Sequence, residues 1–124
     1  MSDQLLAPEV RDFLTRHIDS IVQLECLLLM HGAPNVAWPT QAVADRLYTS
    51  EREAADTLGH LTEQGFLVRA QDGYRFAPRS HELAPLVDIV AQSYRRHLIP
   101  ITNHIHAKPR RIRQFADAFK LKKD

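Results

Sequence analysis

Apolar positions recur with a helical period in six stretches of the chain and with a strand period in one short region. Residues 8–18 place Val10, Phe13, Leu14, His17 and Ile18 at the spacing of one buried helix face. Pro8 falls in the first turn, where its missing N–H costs nothing. Ser20-Ile-Val-Gln23 reads as a capping box, each side chain satisfying the other residue's backbone donor. The helix that follows carries Ile21, Leu24, Leu27, Leu28 and Met30, is apolar on more than one face, and is expected at the centre of the core. Gly32 and Pro34 stop it. Thr40 stands where it would cap a short helix, 41–47, that turns Val43, Ala44 and Leu47 inward. After a Tyr48-Thr49 turn, Ser50-Glu-Arg-Glu53 forms a second capping box. Its helix runs to about Gln64 with Ala54, Ala55, Leu58 and Leu61 on the inner face, and Gly65 suits a left-handed C-terminus.

The period then shortens to two. Strands are expected at 66–69 and 74–77, joined by Ala70-Gln-Asp-Gly73, because Asp-Gly between two apolar-aromatic runs is a hairpin signal. Residues 80–105 return to helical spacing through Leu86, Ile89, Val90, Tyr94, Ile101 and Ile105. Pro85 lies near the start of this stretch, and Pro100 lies inside it and should kink or divide it. Lys108-Pro109 is a break, after which 110–123 reads as an amphipathic helix with Ile112, Phe115, Ala116 and Phe119 on one side. The expected fold is mainly α with a small β-hairpin.

Helix, short helix, turn, capped helix and hairpin is the element order of a winged helix-turn-helix with additional N- and C-terminal helices. The residues Val43-Ala-Asp-Arg-Leu47, Ser50-Glu-Arg-Glu53, Leu58-Gly-His-Leu61, Gly65-Phe-Leu-Val68 and Asp72-Gly-Tyr-Arg-Phe-Ala77 resemble bacterial regulators of the MarR and PadR types. The resemblance covers residues 20–78, with the hairpin as the wing. Ile21-Val-Gln-Leu-Glu-Cys-Leu-Leu-Leu-Met30 and the residues from Lys108 to Asp124 extend it to a group of small bacterial winged-helix proteins described as transcriptional regulators. The implied organisation is a winged helix-turn-helix domain with an N-terminal helix over 1–79, a long helix over 80–107 and a basic amphipathic tail over 108–124. The 80–107 helix sits where such regulators dimerise, which implies contacts from Leu86, Ile89, Val90, Tyr94 and Ile101 and two reading heads for a palindromic site. The alternative is an intrachain cap over the winged domain.

Charge sharpens this picture. Residues 1–94 hold 7 Lys/Arg against 13 Asp/Glu, whereas 95–124 hold 9 against 2, so an acidic body carries a basic arm. Such an arm either folds back on the body or meets nucleic acid, anionic lipid or an acidic protein face. A membrane surface is not expected to be the partner. Phe115 and Phe119 then pack on the chain itself, on a second subunit or on a protein partner.

At about 100° per residue, the outward positions of the helix after Ser50 are Arg52, Glu53, Asp56, Gly59, His60 and Glu63. The resemblance implies double-stranded DNA contacts at Ser50, Arg52, Thr57 and His60, with Arg52 suited to a bidentate guanine contact. Arg69 and Arg75 on the wing would hold phosphates or probe the minor groove, and Arg110, Arg111 and Arg113 would add sequence-independent phosphate affinity. Glu53, Asp56 and Glu63 depart from the usual pattern, since they bring carboxylates to a face meant for phosphate. The alternative function is therefore a non-catalytic protein-interaction module that uses this acidic face or the basic tail.

The remaining chemistry is set aside on spacing. His104 and His106 point about 200° apart on a helix, and His97 and His104 share a face without a carboxylate or cysteine at a suitable offset, so no metal is expected. Cys26, the single cysteine, lies inside an apolar helix and reads as a small buried hydrophobe. Four scattered glycines cannot build a phosphate loop. Neither catalysis nor a cofactor is expected. Trp38 and Pro39 are placed either to plug the core or to line an effector pocket with Tyr48 and Phe66. The longest apolar run, 26–30, is too short to cross a bilayer. The N-terminus lacks the pattern of a secretory signal, so the protein is expected in the cytoplasm.

Overall fold

A computed structural model describes residues 5–108. The expected tail helix at 110–123, with Arg110, Arg111, Arg113, Phe115 and Phe119, lies outside the described residues. The chain is mainly helical with one small antiparallel sheet: α1 (Pro8–His17), α2 (Ile21–His31), α3 (Thr40–Leu47), α4 (Glu51–Glu63), β1 (Leu67–Ala70), β2 (Gly73–Phe76) and α5 (Leu83–Arg96). A further helical stretch occupies 98–108.

The local signals act much as their chemistry dictates. Ser20 accepts from the Gln23 N–H at 3.2 Å, but the Gln23 amide reaches back to the N–H of Asp19, one residue beyond the box. Ser50 likewise accepts from the Glu53 N–H at 3.0 Å, while the Glu53 carboxylate takes the Thr49 hydroxyl. Thr40 is not a cap: it is the first helical residue of α3, and Pro39 precedes it in extended conformation. Gly32 closes α2 in the right-handed region, so freedom at positive φ is not what ends that helix. Gly65 does require it. At φ +91° it lets the Phe66 N–H return to the Leu61 carbonyl and its own N–H to the Thr62 carbonyl, the two bonds of a Schellman closure.

β1 sits one residue later and β2 one residue earlier than the pattern suggests, with Leu67 paired to Phe76 and Ala70 to Gly73. Gln71 and Asp72 form the turn, and Gly73 opens β2 at φ +145°. The reason for glycine there is a close approach, because a Cβ on Gly73 would stand 2.1 Å from the Trp38 carbonyl oxygen. Trp38 and Tyr74 exchange two backbone hydrogen bonds of 2.7 and 2.9 Å, forming an isolated bridge that joins the loop before α3 to β2. One pair of residues gives no alternating pattern, so this third element of the sheet has no signature in sequence.

A single core spans the described residues. Phe13, Leu14 and Ile18 of the N-terminal region, Leu24, Leu27 and Met30 of α2, Leu58 and Leu61 of α4, and Phe66 meet Val87, Val90, Ile101 and Ile105 in one cluster. Val90 and Ile101 are fully buried inside the chain, which corrects their expected place in a dimer surface. The helical stretch from α5 onward therefore contributes to the core of the body: α5 packs on α1 and α2. It is also divided, as Pro100 demands. Pro100 cannot donate to the Arg96 carbonyl and its ring crowds that group, so α5 ends at Arg96 and His97 leaves helical geometry. Among the described residues no helix is long and apolar enough to cross a membrane.

Candidate nucleic-acid interface

α3 packs against α4, and α4 packs on α2 and β1, which leaves the opposite side of α4 open. Ala54, Thr57, Leu58 and Leu61 are the buried positions of α4, and Ala55 is exposed. This corrects two assignments. Thr57 is only 6% exposed and belongs to the inner face, so it cannot reach a duplex lying on the outer one. Ala55 belongs to the outer face instead.

Arg52, Glu53, Asp56 and Glu63 are exposed as expected, with Ser50 exposed at the capped start. His60 is half-buried and turned to the body, its Nε2 donating to the His17 carbonyl at 3.2 Å. The His17 Nδ1–H reaches the Gln64 side-chain oxygen at 2.6 Å, so the last turn of α4 is fastened to the end of α1. His60 thus holds α4 in place rather than standing free on its outer face. Gly59 faces open space: a Cβ there would meet nothing within 4 Å. Interior helical glycine costs about 0.5–1 kcal/mol relative to alanine, and packing within the body gives no return for that cost.

Both hairpin arginines are exposed, but they are not equivalent. Cross-strand partners share a face, and the register pairs Val68 with Arg75 and Arg69 with Tyr74. Arg69 therefore lies on the face shared with Leu67 and Phe76, its guanidinium 5.6 Å from the Tyr74 ring centroid. Arg75 points to the opposite face beside Val68. The hairpin offers two separate cationic edges.

The aromatic pocket does not assemble. Phe66 is fully buried, Tyr48 is 96% exposed, and Trp38 is partly buried against the core with the Arg46 guanidinium 5.5 Å from its ring centroid. A groove of about 510 Å³ lies elsewhere, between Glu25, Leu28, Leu47, Tyr48, Ala91 and Tyr94 among others. Burial, and then the neighbouring Glu25 carboxylate, raise the Tyr94 hydroxyl above its ordinary pKa. Tyr48 occupies the left-handed region at φ 56° as the C-cap of α3, a position that asparagine or glycine would fill with less strain. Nothing in sequence marks that conformation.

Of the expected dimer contacts, Leu86 and Tyr94 are half-buried against the core and Ile89 is 40% exposed. Sequence periodicity missed Leu98 and Ile99, which are 51% and 68% exposed just beyond the break. Cys26 is fully buried, and burial pushes its thiol up to about 12. Among the described residues no group of three or more His, Cys, Asp or Glu is placed to hold a metal ion. The chain matches no protein-family profile, no curated protein and no solved structure.

Proposed function

We propose that this chain is a winged helix-turn-helix regulator of the cytoplasm that binds double-stranded DNA as a homodimer and performs no catalysis. The observation that carries this reading is the Trp38–Tyr74 bridge. It ties the loop before α3 to β2, the return strand of the hairpin that follows α4, so the helix pair and the hairpin form one unit with α4 open between them. A duplex seated there would meet Ser50 and Arg52 at the start of α4, with Arg75 or Arg69 at a neighbouring backbone. Gly59 supports the same reading, since a bare backbone on the outer face admits close approach by a partner.

Homodimerisation rests on the exposed apolar side chains Ile89, Leu98 and Ile99. The specific observation favouring the second reading, a protein-binding module, is the exposed set Glu53, Asp56 and Glu63 on the same face.

Gly59→Ala tests the proposal through two effects of opposite sign. The added methyl should raise stability by about 0.5–1 kcal/mol, a few degrees in thermal melting. It should also weaken affinity for duplex DNA several-fold, measured by fluorescence anisotropy at fixed salt. A stabilised variant with undiminished duplex affinity would contradict contact at this face.

A further inference from the structure

We infer that residues 109–124 dock, in the free protein, along the acidic outer face of α4 of the same chain. Three observations converge on this occupant. The first is the place where the chain leaves the described body. Lys108 is held by an ion pair to Asp19 at 2.7 Å and by donation to the Ile18 carbonyl at 3.1 Å. Ile18 directly follows His17, the residue to which His60 and Gln64 fasten the last turn of α4. The last described residue is thus held at the connection that follows His17, next to the residue that fastens the last turn of α4.

The second is charge. Residues 109–124 carry six Lys/Arg against two Asp, whereas α4 exposes Glu51, Glu53, Asp56 and Glu63 against Arg52. Arg69, Arg75 and Arg79 are also exposed nearby on the hairpin side and oppose a basic segment there, which leaves the carboxylate side of α4 as the favourable track. The third is length. Sixteen residues span about 24 Å even as a helix, against about 20 Å for α4. A segment starting at the C-terminal end can cover the whole face, running antiparallel to α4.

The carboxylates that look misplaced on a DNA-reading helix then serve as the seat of the tail. Phosphate would compete with them for Arg110, Arg111 and Arg113, so duplex binding and tail release would be linked.

Paramagnetic labels on the full chain test this without DNA. A nitroxide is attached at Ile112→Cys in one variant and at Lys122→Cys in another; buried Cys26 stays unlabelled. At low salt the first label should broaden amide signals around Glu63 several-fold more than those of equally exposed residues elsewhere, and the second those around Arg52 and Glu53. Both effects should disappear at 0.5 M salt and in Asp56→Asn combined with Glu63→Gln. Broadening that centres on another element, spreads evenly, or arises only between labelled and unlabelled chains would overturn the inference. Because no DNA is present, failure here leaves the duplex-binding proposal standing, and failure of duplex binding leaves a docked tail standing.

Discussion

Gly73→Ala is expected to cost about 3 kcal/mol or more and to lower the melting temperature by roughly 10–20 °C. Two causes act together. The residue sits at φ +145°, which side-chain-bearing residues rarely adopt, and the new Cβ would press to 2.1 Å of the Trp38 carbonyl oxygen. Backbone atoms on both sides must move, and the paired 2.7 and 2.9 Å hydrogen bonds between Trp38 and Tyr74 are the contacts that give way. Gly32→Ala is the matched comparison. It lies in the right-handed region with its nearest neighbours at 3.4 Å and beyond, and should leave stability within about 1 kcal/mol of the parent. A melt that ranks the two variants equally would mean the bridge does not constrain the hairpin.

Arg52→Ala is expected to lower affinity for a specific duplex by about 10–100-fold, the range of one lost bidentate base contact. The probe is a duplex enriched by selection from a random pool, compared with a scrambled duplex at the same salt. Stability should stay within about 0.5 kcal/mol, because Arg52 is exposed and lies off the buried face of α4. Loss confined to the enriched duplex identifies a base contact. Equal loss on both identifies a phosphate contact, and no loss removes Arg52 from the interface.

Features governed by a few neighbouring residues were the most legible in sequence. Ser20, Ser50 and Gly65 mark helix ends because the hydrogen bonds they complete close within five residues. Pro100 marks the division of the C-terminal helical stretch for the same reason. On α4, periodicity separates Thr57 from Ala55 only by a margin: at about 100° per residue, position 57 lies about 65° from the centre of the arc set by Ala54, Leu58 and Leu61, and position 55 about 95°. Side-chain polarity suggested the reverse, but a threonine methyl packs well enough at a core margin.

Long-range pairing was not legible. Nothing local distinguishes a turn glycine from Gly73, whose need for a bare α-carbon comes from Trp38, thirty-five residues earlier. Nor does periodicity say which surface covers an apolar face. Val90 and Ile101 fit a dimer helix and a chain's own core equally well, and they lie in the core. His60 shows a related limit, since its position is outward near the end of α4 until α1 is packed against that end.

The measurement that tests the central claim most directly is selection of the full chain against a pool of random duplexes at physiological salt, sequenced through successive rounds. A dimer reading DNA with paired α4 helices predicts enrichment of a two-fold symmetric sequence whose half-sites lie about one helical turn apart. A pool that stays random, with binding that vanishes as salt rises, would contradict it and leave only generic attraction between phosphate and the basic tail.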